Sequence, residues 1–279
     1  FSPCPCVRGA PANTVADAYT WGLPGTLPVL NAEAVGLALR LAVALGCEVA
    51  GESGWDRKHY FYPDLPKGYQ ITQRERPLAR GGALAVPDPA AGPWAIRDVA
   101  LERIHLEEDA GKVVGGGIDY NRAGAPLVEI VTAPVIRDAA EAARVLRALR
   151  FLLVRLGVSD ATMEEGSLRC DVNVSLAEPG APRPGVRCEI KNLNSFKFTL
   201  QAIAAEVERQ EGLLSAGGRV APVTLRFDPD RGAVQVMRVK EEALDYRWLP
   251  EPDLPPLVIE AAAVAAARAG LPDMPEQTR

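Results

Sequence analysis

The sequence lacks the features that mark membrane-spanning, secreted and repetitive proteins. No apolar run approaches the roughly 18 residues that a transmembrane helix needs. The five cysteines are an odd number, lie far apart and follow no signal peptide, which indicates a reduced protein and not a disulfide framework. Internal repeats and low-complexity segments are also absent. We therefore expect a soluble, cytoplasmic protein with no membrane partner.

Familiar catalytic and ligand-binding motifs are equally scarce. The two histidines and five cysteines form no Ser-His-Asp or catalytic-cysteine pattern. The run Gly115 to Gly117 matches neither the Walker A nor the dinucleotide motif, so we interpret it as a hairpin tip. Cys4 and Cys6 have no CxxC partner that would complete a zinc site. A net charge of −5 gives no global attraction to nucleic acid, although a local basic patch or a further domain could supply one.

The chain has the length, 279 residues, and the hydrophobic content, 48%, to bury a sizeable core. Apolar periodicity predicts helices over about 31–46, 138–157 and 196–216, the first two capped by Asn31 and Asp138. Alternating segments predict two antiparallel hairpins, one from "RCDVNVSL" and "VRCEIKN", the other from "PVTLRFD" and "GAVQVMRVK". Because helices and strands follow no steady βαβ rhythm, we predict an α+β fold with a mostly antiparallel sheet cradle flanked by helices.

Two groups of polar and aromatic residues could bind a ligand. In the first predicted hairpin, one face would carry Asp171, Asn173, Glu189 and Lys191, although an ordinary solvated sheet face explains the same pattern. The loop "DRKHYFYPDLPKGYQ" concentrates aromatic and basic residues between prolines. Such a loop can hold an anionic substrate or a nucleotide base. The alternative is an exposed loop that its tyrosines dock onto the core.

Glu108 occupies an unusual position in the stretch "RIHLEEDAGK". If this stretch is a strand, Glu108 shares an apolar face with Ile104 and Leu106, while His105 and Glu107 lie on the opposite face. A buried carboxylate must be protonated, paired with a cation or bound to a metal. Alternatively, the strand ends early and the acidic cluster is a solvated turn.

Glu129 repeats this arrangement in "NRAGAPLVEIVTAP", between Leu127 and Val131 on one strand face. Two such acids could converge from neighbouring strands on a hard cation such as Mg²⁺. The alternative is a structural ion pair at each acid, with a partner drawn from Arg103, Arg122 or Lys112.

Eight longer motifs occur in series between residue 1 and about residue 259. They are "FSPCPC", "GLPGTLPVLN", "DRKHYFYPDLPKGYQI", "IHLEEDAGK", "NRAGAPLVEIV", "MEEGSLRCDVNVS", "EIKNLNSF" and "DYRWLPEPDLPPL". Together they resemble the family of B subunits of glutamyl/aspartyl-tRNA amidotransferases. Eight motifs in the family's order are far more specific than any single short pattern.

The resemblance implies a fold, a reaction and partners. It implies a catalytic cradle related to glutamine synthetase and the guanido kinases over 1–260, with 261–279 starting a helical linker to a C-terminal region outside this sequence. The implied reaction uses ATP to phosphorylate the side-chain carboxylate of Glu or Asp misacylated on tRNA(Gln) or tRNA(Asn). Ammonia from an amidase subunit (A) then displaces phosphate, and a small subunit (C) braces the complex.

The resemblance also implies roles for individual residues. Glu108 and Glu129 match metal ligands, so the expected cofactors are ATP and Mg²⁺, and Lys58, Lys67 and Arg122 are the expected catalytic residues. Substrate-binding positions are expected at Tyr60, Tyr62, Glu165, Asp171, Lys191 and Asn192. Many family members bind zinc with a CxxC that follows "FSPCPC"; here Asp17 and Thr20 occupy those places, so no zinc is expected.

Two other functions stay open from the sequence. The chain could belong to an ATP-dependent ligase or kinase that acts on a free small carboxylate or guanidino compound. It could also be a scaffold without its own catalysis that binds tRNA and partner subunits.

Overall fold

The computed structural model describes residues 1–178, 180–181, 185–239 and 246–273, without the side chains at positions 192, 238 and 239. Within this part of the chain there are four helices, α1 Ala32–Ala44, α2 Ala139–Arg155, α3 Phe196–Ser215 and α4 Ala261–Ala269. The predicted caps are confirmed: Asn31 accepts a hydrogen bond from the backbone N–H of Ala34, and Asp138 accepts one from Glu141. Among these described residues no helix is both long and apolar enough to cross a membrane.

The strands are short except for β7. In chain order they are β1 Glu48–Val49, β2 Glu52–Ser53, β3 Asp56–His59, β4 Tyr69–Thr72, β5 Ala79–Arg80, β6 Ala83–Pro87, β7 Ile96–Glu108, β8 Lys112–Val114, β9 Gly117–Asp119, β10 Pro126–Thr132, β11 Cys170–Val174, β12 Cys188–Leu193, β13 Val223–Asp228, β14 Ala233–Val239, β15 Leu249–Pro250 and β16 Leu257–Val258. Helices and largely antiparallel sheets together confirm the α+β prediction. The relation to glutamine synthetase and the guanido kinases stays a prediction.

The chain divides into two compact units. The first comprises Phe1–Ala83, Ala100–Ala133 and Asp245–Arg279, and the second comprises Leu84–Val99 and Pro134–Leu244. The predicted boundary between a cradle over 1–260 and a linker over 261–279 is not tested by this division. Helix α4 begins at Ala261, while residues 274–279 lie outside the described part of the chain.

The first unit contains residues 100–108 of the long strand β7, the part that carries the acidic cluster. Its main sheet has the order β1-β5-β7-β10, and β15-β3-β4 form a second sheet. Strand β10 pairs antiparallel with β7, so that Glu108 lies opposite Pro126 and His105 lies opposite Glu129. The buried core under these strands includes Phe1, Trp55, Ile71, Leu78 and Leu106. Glu108 therefore lies next to a dry core, whereas the opposite face of β7 is polar.

The second unit is a four-stranded sheet with the order β11-β12-β13-β14 and two helices, α2 and α3. Both predicted hairpins are confirmed, because β11 pairs antiparallel with β12 and β13 pairs antiparallel with β14. The pairing of β12 with β13 is parallel and was not predicted. Helix α3 connects these two parallel strands, as a parallel pair requires a long crossover.

Candidate metal centre

The register of β7 and β10 brings four ionisable side chains to one face of the first sheet. Residues directly opposite each other in an antiparallel pair project to the same face. Glu129 lies opposite His105, and the neighbouring pairs place Glu107 and Arg103 on that face as well. Along the intervening positions of β7, Glu108 projects to the other face.

His105, Glu107 and Glu129 form a compact cluster of potential metal ligands. His105 Nε2 is 3.1 Å from Glu129 Oε2 and 3.7 Å from Glu107 Oε2. One ligand atom from each of the three residues lies within 4.8 Å of the other two. The side chain of His105 is 3% exposed, that of Glu107 14% and that of Glu129 50%. His105 and Glu107 are therefore largely buried, whereas Glu129 is accessible to solvent.

The carboxylates of this cluster are surrounded by positive charge. The hydrogen bond with His105 lowers the pKa of Glu129 against the opposing effect of burial, and the charges of His105, Arg103 and Lys58 lower it further. Burial lowers the pKa of His105, but its interactions with the carboxylates of Glu107 and Glu129 outweigh burial, so the pKa is raised overall. The face combines two carboxylates with nearby cations, an arrangement suited to a metal ion and a polyanionic substrate.

Lys58 reaches this cluster from β3. Its Nζ lies 4.8 Å from the ring centroid of Tyr246 and 5.8 Å from that of Tyr60. The rings of Tyr60 and Tyr62 meet edge to face at 5.9 Å, and burial raises the pKa of Tyr60. The charge of Lys58 acts on Glu129, so Lys58 lies near the cluster of His105, Glu107 and Glu129, and Tyr60 lies beside Lys58. Tyr62 lies at the solvent-exposed edge.

The side chains of Glu108 and Glu129 do not converge, which corrects that part of the prediction, while the role of each acid as a metal ligand stays a prediction. The two acids lie on opposite faces, because Glu129 is in register with His105 and not with a residue on the Glu108 face. Glu108 is fully buried and uses both oxygens: Lys67 Nζ lies 2.5 and 2.7 Å from them, and the Tyr19 hydroxyl donates at 2.8 Å. The backbone N–H of Ile71 donates to Oε1 at 2.9 Å. A structural ion pair is thus present, but its cation is Lys67 and none of the three predicted partners.

Lys67 is held inside the first unit by this pair. Its Nζ lies 3.9 Å from the ring centroid of Tyr19 and donates to the Tyr19 hydroxyl at 2.5 Å. Burial lowers the pKa of Lys67 against the opposing charge of Glu108. Burial and the Glu108 charge both raise the pKa of Tyr19. The predicted residue Lys67 is therefore committed to a buried polar network on the face opposite the metal cluster.

The remaining predicted residues lie in other surroundings. Arg122 donates from Nε to the carbonyl oxygen of Ala110 at 3.1 Å and lies 3.6 Å from Asp109 Oδ2. In the second unit Lys191 Nζ is 3.3 Å from Asp171 and 3.2 Å from Glu189. Glu165 is exposed, and the Asn192 side chain lies outside the described residues. Their substrate-binding roles stay predictions.

The residues that the structure adds are His105, Glu107, Arg103 and Thr72. The Thr72 hydroxyl donates to Glu107 Oε2 at 3.1 Å. Three of the four were visible in the sequence as the polar face of the predicted strand. The signal for this site was that Arg103, His105 and Glu107, which share one strand face, are all ionisable. The prediction relied instead on the opposite, apolar face, where Glu108 is the exception.

The loop in which the resemblance implies a zinc site for other family members is closed here by hydrogen bonds. Asp17 Oδ2 accepts from the Ser2 hydroxyl at 3.0 Å, and Asp17 Oδ1 accepts from the backbone N–H of Thr20 at 2.8 Å. The Thr20 hydroxyl donates to the carbonyl oxygen of Asp17 at 2.9 Å. These bonds occupy both residues that stand in place of thiolates, and the absence of zinc stays a prediction.

The donor set of the cluster fits a hard divalent cation. Mg²⁺ is typically held by one or two carboxylates together with substrate phosphates, at about 2.1 Å, so that opposite ligands stand roughly 4 Å apart. Separations of up to 4.8 Å among the ligand atoms come within a small side-chain adjustment of that distance. Glu107 and Glu129 supply the two carboxylates, and His105 lies between them.

The sequence comparisons give one consistent result. The sequence profile described as the GatB/GatE catalytic domain matches residues 1–265. The chain is 52% identical over 281 residues to the B subunit of the aspartyl/glutamyl-tRNA(Asn/Gln) amidotransferase of Anaeromyxobacter sp. (strain Fw109-5), covering 99% of this chain and 57% of that protein. The identically named protein of Myxococcus xanthus (strain DK1622) is 50% identical, with 99% of this chain and 58% of the relative covered. The chain thus spans somewhat less than three fifths of these relatives.

Proposed function

The chain belongs to the GatB/GatE catalytic domain family, and on this premise we propose that the protein carrying it amidates Glu or Asp misacylated on tRNA(Gln) or tRNA(Asn). It does so as one component of a complex with an amidase subunit and a small subunit. The observation that carries the proposal is the cluster of His105, Glu107 and Glu129 beside Lys58 and Arg103. Carboxylates that can hold Mg²⁺ beside fixed cations are the arrangement on which phosphoryl transfer from ATP depends.

The proposed reaction has two steps. An oxygen of the side-chain carboxylate attacks the γ-phosphorus of ATP, the bond to the bridging oxygen breaks, and ADP leaves. Ammonia then attacks the acyl carbon of the mixed anhydride, the bond to the phosphate oxygen breaks, and inorganic phosphate leaves as nitrogen loses a proton. Ammonia is supplied by the amidase partner, since the sequence offers no Ser-His-Asp or catalytic-cysteine pattern for glutamine hydrolysis.

Glu107 and Glu129 are the residues that would hold Mg²⁺. When bound, this ion neutralises the charge on the transferring phosphoryl group. Glu129 is half exposed and can meet a substrate, while Glu107 is mostly buried and fixes the cluster to β7. His105 lies between the two carboxylates: its Nε2 is 3.1 Å from Glu129 Oε2, within hydrogen-bond distance, and 3.7 Å from Glu107 Oε2.

Lys58 and Arg103 supply positive charge for the phosphates. The rings of Tyr60 and Tyr246 flank the Lys58 ammonium and limit its motion. Arg103 Nε is buried without a hydrogen-bond partner among the described residues. A buried donor of this kind is satisfied when an anion binds, which favours phosphate binding on this face.

Lys67 has a different role in this proposal. Its ammonium is bound to Glu108 and Tyr19, so it is not available to phosphate. We assign the Lys67–Glu108 pair to the support of β7, whose adjacent residue, Glu107, is a proposed ligand.

The experiment is ATP-dependent formation of phosphorylated Glu-tRNA(Gln) and Asp-tRNA(Asn) by the complex reconstituted with the full-length protein. Glu107→Gln and Glu129→Gln should each remove most of the phosphorylation while the protein stays folded. Asp171→Asn, in the second unit, is a matched exchange of an exposed acid and tests the alternative substrate face.

Three results would contradict the proposal. Near wild-type phosphorylation by both glutamine variants would remove the metal centre from the reaction. ATP turnover with free glutamate or another small carboxylate, and none with charged tRNA, would instead favour the small-molecule ligase. Binding of charged tRNA without any ATP turnover by the complete complex would favour the scaffold.

A further inference from the structure

Strand β4 and the residue after it, Gln73, are attached to β7 through side chains, although β4 and β7 belong to different sheets. Gln73 Oε1 accepts from the backbone N–H of Leu106 at 2.9 Å, and Gln70 Nε2 donates to the carbonyl oxygen of Glu108 at 2.8 Å. Between these contacts, consecutive residues of β4 bind consecutive carboxylates of β7. The backbone N–H of Ile71 donates to Glu108, and the hydroxyl of Thr72 donates to Glu107.

Thr72 is the contact that reaches the metal face. It is 4% exposed, and its hydroxyl is 3.1 Å from Glu107 Oε2, the oxygen that lies 3.7 Å from His105 Nε2. A glutamate side chain has three rotatable bonds, so its carboxylate needs such a partner to keep one orientation. Partners that orient ligating carboxylates typically affect metal affinity about 10- to 100-fold.

We propose that Thr72 is a positioning residue that holds Glu107 in its metal-binding orientation. This inference rests on the proposed function, because it takes Glu107 to be a ligand. Thr72 acts through Glu107 and touches neither the ion nor the substrate. Since Gln70 and Gln73 fix this segment to the backbone of β7, the hydroxyl is delivered to Glu107 from a rigid support.

A purely structural role for Thr72 makes a different prediction. In that case the hydroxyl is one satisfied buried polar group among many, and its loss affects stability but not metal affinity. A positioning role and a purely structural role can be distinguished only by a measurement of metal binding that does not depend on turnover.

The test is a Mn²⁺ titration of the full-length protein, followed by electron paramagnetic resonance, together with melting curves of the metal-free proteins. Thr72→Val removes the hydroxyl at nearly constant volume and should weaken Mn²⁺ binding about tenfold or more. Thr72→Ser retains a hydroxyl and should restore most of the affinity. Thr224→Val is the matched control, because the Thr224 hydroxyl is also buried but has no hydrogen-bond partner in the described structure.

Each result either supports or overturns the positioning role of Thr72. Weak binding by Thr72→Val, with rescue by serine and wild-type affinity in Thr224→Val, supports it. Wild-type affinity in a folded Thr72→Val protein overturns the positioning role and leaves the metal centre intact. A wild-type protein that binds Mn²⁺ with no loss in Glu107→Gln overturns the metal centre itself, and the positioning role with it.

Discussion

Replacing Glu108 by Gln should make the protein unfold more readily, whereas the same change at its neighbour Glu107 should not. The side chain of Glu108 is 1% exposed and that of Lys67 8%, with Nζ 2.5 Å from Oε1. Gln keeps the shape of the Glu108 side chain. It either turns an amide N–H toward the Lys67 ammonium or leaves that ammonium without an anionic partner. Removing one partner of a buried pair costs about 3 to 5 kcal/mol.

The size of the effect makes it easy to measure. A loss of about 3 to 5 kcal/mol lowers the melting temperature of a chain of this length by about 6 to 20 °C. Glu107 is partly exposed and belongs to a cluster with a second carboxylate, Glu129, so its neutralisation should change stability by about 1 kcal/mol or less.

The pH dependence gives an independent check of the same pair. Burial lowers the pKa of Lys67, and loss of the Glu108 charge removes the main effect that raises it. Between the lowered pKa of Lys67 in the folded variant and its ordinary pKa in the unfolded chain, the unfolded chain binds more protons than the folded one. The stability of Glu108→Gln therefore rises with pH in that window. Its deficit relative to the wild type should therefore shrink as the pH rises from about 7 towards about 10, the ordinary pKa range of a lysine.

The assay is thermal or urea unfolding of the full-length protein carrying each single change. The double variant Lys67→Met/Glu108→Gln should recover part of the loss, because it leaves no charge stranded in the core. Equal melting temperatures for Glu107→Gln and Glu108→Gln, or a Glu108→Gln protein as stable as the wild type, would refute the division of β7 into a structural and a metal-binding face.

Three further predictions concern other parts of the chain. Lys58→Met should slow tRNA phosphorylation on the order of 100-fold without lowering the melting temperature, and an unchanged rate would exclude Lys58 from the site. Although burial opposes it, hydrogen bonds from Arg137 lower the pKa of Glu141 from 4.5 to about 2; unfolding at several pH values should show about 3 kcal/mol of stability lost between about pH 5 and about pH 2, and clearly less lost in Glu141→Gln. Elemental analysis should find far less than one zinc per chain, because Asp17 is a poor replacement for a thiolate, and stoichiometric zinc would contradict this.

Local signals in the sequence predicted the helices and hairpins well. Asn31 and Asp138 are caps whose side chains bond within three residues, so no distant information is needed. The parallel pairing of β12 with β13 was not predicted, because it depends on how the chain returns after α3. Pairing across a helix is a tertiary property that periodicity does not encode.

For the candidate site too, the sequence pattern does not reveal which residues of different strands lie together. Period two assigns each residue to a face of its own strand, but it does not give the register between strands. From the sequence, Glu108 and Glu129 were therefore expected in similar surroundings. The register between β7 and β10 places them on opposite faces and brings Glu107, not Glu108, to the face of Glu129. The partner of Glu108, Lys67, lies 41 residues away on a loop between strands, and no local pattern connects the two.

Anomalous diffraction from crystals of the full-length protein soaked in Mn²⁺ would locate the metal centre itself. We expect a peak bonded to the carboxylates of both Glu107 and Glu129, on the face of β7 that carries His105. A Mn²⁺ peak bonded to Glu108, or binding in solution with no peak at Glu107 and Glu129, would contradict it.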